Sequence, residues 1–230
     1  MRSLVFLVSL LVLVTESHAQ FNSNNQRPYD TIPNLPEHYA NKVAQFQQEP
    51  MVKGRVIFLG NSITEGGNWK QLLGDTTIIN RGIGGDNTFG VLKRLDDITR
   101  RKPSKLFILI GINDLSKDIP PAVIAANYQQ IIRRVKQESP ATRIYVQSIL
   151  PLNTTVQNFP PRYHKQAAVH ETNRLIRSLA ASEKVTYINL VPLLSDAQQR
   201  LKAEYTGDGL HLKTAGYRQW ADYLKKQGYF

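Results

Sequence analysis

The chain has 230 residues, 41% hydrophobic and 20% charged, with a formal net charge of +11 and no cysteine. That length supports one globular domain with a well-buried core, and the missing thiol excludes a disulfide framework, a cysteine-based metal site and a lipid anchor on an N-terminal cysteine. The basic residues fall in short groups such as Lys93-Arg94, Arg100-Arg101-Lys102, Arg133-Arg134 and Lys225-Lys226. These read as solvated helix faces and ends, without the length or aromatic interleaving of a nucleic-acid groove.

In chain order, Arg2 supplies a positive charge, an apolar run extends from Leu4 to Val14, and Ser17 and Ala19 stand where a signal peptidase reads. This predicts a signal peptide over residues 1–19, cut before Gln20, and a secreted or periplasmic mature chain. An apolar run of about eleven residues is too short for a bilayer core that takes roughly 20, so no stable membrane insertion is expected. Residues 20–50 read as an Asn-, Gln- and Pro-rich arm ending in a short helix at 36–48, and residues 51–230 as the folded domain.

Within that domain, apolar runs predict strands at 55–59, 77–80, 105–110, 143–148 and 185–189, with helices between and after them. Ile124, Tyr128, Ile131 and Val135 form one helical stripe, and Tyr217, Trp220, Ala221 and Leu224 another. Strands that are apolar nearly throughout are covered by helices on both faces. The alternation therefore predicts an α/β fold, a three-layer α/β/α sandwich around a five-stranded parallel sheet with flavodoxin-like order. Asn153-Thr154-Thr155 fits a glycosylation acceptor.

Ligands of such a sheet bind beyond the carboxyl ends of the strands. There the sequence sets Gly60-Asn61-Ser62 after the first strand, Arg81 to Asn87 with three glycines after the second, and Gly111-Ile112-Asn113-Asp114 after the third. Thr206-Gly207-Asp208-Gly209-Leu210-His211 precedes the last helix. Converging on one edge, these segments hold a hydroxyl, an imidazole, a carboxylate and amide donors, the groups acyl transfer requires. Each has a plainer reading alone. Ser62-Ile63-Thr64-Glu65 fits a capping box, with Ser62 as a helix cap. Asn113-Asp114 fits a helix cap as well, Asp208-Gly209 a turn, and a lone His211 a structural histidine. His164 and His170 read as ordinary residues of a helix. The glycine loop lacks the third glycine of a dinucleotide site, since Asn87 stands there. Asp208 and His211, three apart, can bond through one imidazole nitrogen and leave the other free for Ser62.

The ordered set Gly60-Asn61-Ser62, Gly85-Asp86, Gly111-Ile112-Asn113-Asp114 and Asp208-Gly209-Leu210-His211 resembles the SGNH (GDSL-type) hydrolase family of esterases and lipases. The match runs from about Arg55 to the C-terminus. The resemblance implies Ser62 as nucleophile, His211 as general base and Asp208 as its orienter. It implies an oxyanion hole from the N–H groups of Ser62 and Gly85 and the side-chain amide of Asn113, with no metal or cofactor. This chain departs from the family in carrying Asn61 where Asp usually precedes the serine. The Gly-x-Ser-x-Gly elbow of α/β-hydrolases is absent, because Thr64 occupies the second glycine position. Family members include carbohydrate deacetylases, lysophospholipases and platelet-activating-factor acetylhydrolase-like proteins. Without a large lid insertion, the expected substrate is a small ester or an acetylated glycan, hydrolysed by a short-chain esterase. A lysophospholipase, a non-catalytic glycan-binding protein and a nucleic-acid binder are the rival readings, the last resting on net charge alone.

Overall fold

The computed structural model describes residues 37–230, so the predicted signal peptide and the arm up to residue 36 lie outside the described residues. The elements follow in chain order as α1 (Glu37–Gln48), β1 (Val56–Gly60), α2 (Ser62–Glu65), α3 (Trp69–Leu73), β2 (Ile79–Gly82), α4 (Thr88–Lys93), α5 (Leu95–Arg100) and β3 (Lys105–Leu109). They continue as α6 (Ile112–Leu115), α7 (Pro121–Glu138), β4 (Arg143–Gln147), α8 (Gln166–Ser182), β5 (Thr186–Ile188), α9 (Val191–Leu194) and α10 (Thr214–Lys226). The five strands run parallel in the order β2-β1-β3-β4-β5. This is the flavodoxin-like sandwich that the alternation predicts.

Successive residues of a strand face opposite layers. On one face Phe58, Phe107 and Tyr145 pair across β1, β3 and β4 and stack with ring centroids 4.7 Å apart at each step. Trp69 of α3 lies flat on Phe58 at 4.1 Å, and Trp220 of α10 meets Trp69 edge-on. On the other face the α7 stripe of Ile124, Tyr128, Ile131 and Val135 is fully buried. The Tyr128 hydroxyl donates to the Ile110 carbonyl and accepts the Ile110 N–H, and β3 ends one residue short of the predicted limit. β2 begins at Ile79 rather than residue 77, because the N–H and hydroxyl of Thr77 both turn back to Asp75 Oδ1.

Packing corrects two expectations and answers one question that the sequence leaves open. Arg94 and Arg101 do not belong to a solvated surface but are buried, each held by an aspartate. The helix of the arm is packed on the domain: Phe46 is buried, with the Arg81 guanidinium 4.2 Å from its ring centroid, and Arg81 also pairs with Glu49 and Asp97. Asn153 is buried, and its side-chain amide donates to the Leu201 carbonyl at 2.8 Å, so the folded chain offers no nitrogen there for a glycan.

Candidate active site

β1 lies between β2 and β3, and its last residue, Gly60, pairs with Gly82 on one side and Leu109 on the other. The chain segments that follow these three strands therefore emerge side by side. Gly60 is required by a close approach. A Cβ there would stand 2.2 Å from both the Leu109 carbonyl oxygen and Thr64 Oγ1, preventing α2 from folding back over the strand end.

The capping-box reading of Ser62 is overturned. Asn61 is the N-cap of α2, in extended conformation, with its Oδ1 accepting the Ile63 N–H at 3.0 Å. Glu65 does not reach back along the helix. Its carboxylate accepts the Gly84 N–H at 2.6 Å and meets His38 and Lys42 of α1 at 3.1 and 3.0 Å. Burial raises the Glu65 carboxyl, but these bonds outweigh it and hold the group below its ordinary value. With the capping role taken by Asn61, the half-buried Ser62 hydroxyl meets His211 Nε2 at 3.0 Å, across 149 residues of sequence.

His211 Nδ1 lies 2.6 Å from Asp208 Oδ2. The other carboxylate oxygen accepts the backbone N–H groups of His211 and Leu210 at 2.8 and 2.9 Å, fixing the turn that presents both side chains. Burial raises the Asp208 carboxyl, and the hydrogen bonds from His211 and the two backbone N–H groups more than offset it, leaving the group below the usual aspartate value. Gly209 makes the turn possible: its φ is +79°, and a Cβ would stand 2.1 Å from the Asn153 carbonyl oxygen.

Gly85 adopts φ +76° in the loop after β2. Among the described residues, the N–H groups of Ser62 and Gly85 donate to no protein acceptor. The buried Asn113 side chain donates one N–H to the Asp86 carbonyl at 2.8 Å, while its Oδ1 accepts the Tyr163 hydroxyl at 2.8 Å. Among the described residues its second amide N–H has no acceptor. Neither Asn113 nor Asp114 caps α6, whose N-cap is Gly111. Thus Ser62, His211, Asp208, Gly85 and Asn113, the residues singled out in the sequence, occur at one sheet edge. His164 and His170 are elsewhere: His164 follows the 3-10 turn Pro161–Tyr163 rather than lying on a helix and packs on Phe159, whereas His170 is on α8.

Beneath the site lie two buried carboxylates, Asp86 and Asp114, to which the sequence attaches no catalytic role. Asp86 is completely buried against Arg94 at 2.7 Å, and Arg94 Nη2 also donates to the Gly60 carbonyl at 3.1 Å. Asp114 accepts the N–H and hydroxyl of Thr88, and burial pushes its carboxyl up to about 7. A raised carboxyl stabilises the fold at low pH and loses that contribution as pH rises from the ordinary aspartate range through about 7. Asp114→Asn keeps an acceptor for Thr88 and removes the titration. Urea unfolding of both proteins from pH 4 to 8 is expected to show wild-type stability falling relative to the variant, by at most about 1.4 kcal/mol per pH unit.

The site is open to solvent, with the His211 and Asp208 side chains 46% and 34% exposed. Clefts open to solvent also occur away from it, one of about 260 Å³ beside α8 and β5 and one of about 310 Å³ between α1 and α5. Among the described residues, no group of three His, Cys, Asp or Glu side chains is placed to hold a metal ion, and no helix is long and apolar enough to cross a membrane.

A parallel α/β/α sheet carrying a serine–imidazole–carboxylate chain at its carboxyl edge is the layout of a serine-type hydrolase. The pattern of the GDSL-like Lipase/Acylhydrolase family matches residues 58–219. The chain belongs to that family and is a carboxylic ester hydrolase. It is 25% identical over 168 residues to the platelet-activating factor acetylhydrolase IB subunit alpha1 of Bos taurus, covering 70% of this chain and 69% of that one. A solved structure from Streptococcus pneumonia superposes with a TM-score of 0.76 at 32% identity, over 83% of this chain and 92% of its own. An acetyl xylan esterase shares the fold with a TM-score of 0.62 at 21% identity, over 75% and 98% of the two chains.

Proposed function

We propose that this chain is an exported short-chain esterase that removes acetyl groups from carbohydrate through an acyl-enzyme on Ser62. The observation that carries this reading is the unbroken chain from Ser62 Oγ through His211 to Asp208, with distances of 3.0 and 2.6 Å. In the proposed cycle, Ser62 Oγ attacks the ester carbonyl and its proton passes to His211 Nε2. The carbonyl oxygen gains negative charge between the N–H groups of Ser62, Gly85 and Asn113. Collapse breaks the C–O bond, and the departing alcohol takes the proton from His211. Water then attacks the acyl-enzyme, with His211 accepting its proton, and acetate leaves as Ser62 recovers the hydrogen. Asp208, held below the usual aspartate value, stays ionised and opposes the charge on the imidazolium.

An open site suits a short acyl group on a bulky alcohol better than a long chain needing an apolar channel. Two of the similar proteins also carry names that refer to acetyl esters. The test uses residues 20–230 on p-nitrophenyl esters of two to eight carbons and on acetylated xylan, with a fluorophosphonate to tag the nucleophile. Highest kcat/KM at the acetyl ester, release of acetate from the polysaccharide and one adduct on Ser62 are expected. Preference for the eight-carbon ester would establish the lipase reading instead, and an adduct elsewhere would remove Ser62 from the mechanism.

Asn113→Ala removes one donor from the oxyanion site, and the loss in kcat is expected to be about 10²–10³-fold with the fold retained. A fall of less than about threefold, against that scale, would exclude the amide from the reaction.

A further inference from the structure

The hydroxyl of Tyr163 donates to Asn113 Oδ1 at 2.8 Å from the 3-10 turn Pro161–Tyr163, in the long connection between β4 and α8. Tyr163 is buried and touches none of the Ser62, His211 or Asp208 side chains through a hydrogen bond. We propose that Tyr163 is a positioning residue for ester hydrolysis, acting through Asn113 to hold its amide in the one orientation that presents an N–H to the oxyanion. This rests on the assignment of Asn113 as an oxyanion donor.

A carboxamide can sit in either of two orientations related by a half-turn, and only one places nitrogen toward the reacting carbonyl oxygen. The other sets Oδ1 there, and its partial negative charge repels the developing alkoxide. The two contacts of Asn113 select between them. The Asp86 carbonyl accepts only an N–H, and it takes one at 2.8 Å. On the far side the Arg162 guanidinium lies over the Tyr163 ring, 5.0 Å from its centroid, with Nη2 3.5 Å from the hydroxyl. A cationic donor beside that oxygen favours its lone pair and directs the phenolic proton to Asn113. The same bond draws electron density from the amide nitrogen and strengthens the remaining N–H as a donor.

The connection that delivers Tyr163 is itself anchored to the other half of the site. The Asn153 N–H donates to the Gly209 carbonyl at 2.9 Å, and Phe159 packs against Gly209 beside Asp208. One segment thus touches the oxyanion amide at one end and the Asp208-Gly209 turn at the other.

The test is a double-mutant cycle on p-nitrophenyl acetate with Tyr163→Phe, Asn113→Ala and both together, each checked for folding by thermal unfolding. Tyr163→Phe is expected to lower kcat by about tenfold, the worth of a strong neutral hydrogen bond, and to leave KM within about twofold. Binding of a trifluoromethyl ketone, which adds Ser62 to form a tetrahedral alkoxide, is expected to weaken by the same factor as kcat. In the Asn113→Ala background the tyrosine change is expected to add less than about twofold, because its route to the reaction is gone. Unchanged kcat, a loss confined to KM, or a full tenfold loss on top of Asn113→Ala would overturn the positioning role. A negligible effect of Asn113→Ala alone would overturn the oxyanion assignment beneath it, an outcome read from that single variant.

Discussion

Ser62→Ala is expected to lose at least about 10⁴-fold in kcat on p-nitrophenyl acetate while folding as the wild type does. The fold should be indifferent because the capping duty at α2 belongs to Asn61, whose Oδ1 holds the Ile63 N–H. Among the described residues the Ser62 hydroxyl bonds only His211 Nε2, and alanine is a good residue for the first turn of a helix. Thermal unfolding within a degree or two of wild type, set beside the kinetic loss, separates nucleophile from cap. A true cap would show the reverse pattern, with about 1 kcal/mol of stability lost and the rate retained. Any remaining rate is expected to come from the proposed oxyanion donors, the N–H groups of Gly85 and residue 62 and the Asn113 amide, which would still polarise an ester carbonyl for attack by water. Equal rates in the two proteins would place the reaction elsewhere on the chain.

The sheet was legible because strands covered on both faces must be apolar throughout, whereas the pairing of Phe58, Phe107 and Tyr145 was not, since a run apolar on both faces does not fix its own register. Candidate site residues stood out where a strand end met a residue type with little reason to be there, as at Gly60-Asn61-Ser62. Local geometry explains why Asp208 and His211 could be paired from spacing: three residues of turn suffice to join carboxylate and imidazole. The capping-box alternative for Ser62 could not be dismissed from spacing, because Ser62 and Glu65 satisfy it, whereas Glu65 is drawn away by Gly84, His38 and Lys42 from distant parts of the chain. Tyr163 carried no signal, since its partner lies 50 residues away and nothing in Pro160-Pro161-Arg162-Tyr163 distinguishes it from a surface turn. Arg94 misled for a related reason. An arginine beside a lysine looks solvated, and only the fold shows that it is turned inward onto Asp86.

That inward arginine predicts the largest effect on stability. Arg94→Met is expected to destabilise the protein by about 3–5 kcal/mol in urea unfolding at pH 7, because it leaves a buried carboxylate without its partner. Asp86 has no exposed surface, and burial already pushes its carboxyl up while the Arg94 charge and hydrogen bond pull it down. Without the guanidinium the first effect acts alone, and Asp114, itself raised to about 7, stands nearby as a second buried acid. A carboxyl raised in the folded state favours the fold at low pH and loses that advantage as pH rises through its folded value. The deficit of Arg94→Met relative to wild type is therefore expected to shrink as pH falls. Adding Asp86→Asn removes the charge while an oxygen remains to accept the Asn87 N–H, so the double variant is expected to regain most of the lost stability. It should not regain full activity: the Gly60 carbonyl still lacks the Arg94 donor, and the loop whose Asp86 carbonyl orients Asn113 has lost its anchor. Recovery of stability without recovery of kcat would show that the ion pair serves to align the oxyanion loop with the serine. Recovery of both would reduce it to a neutralised charge in the core.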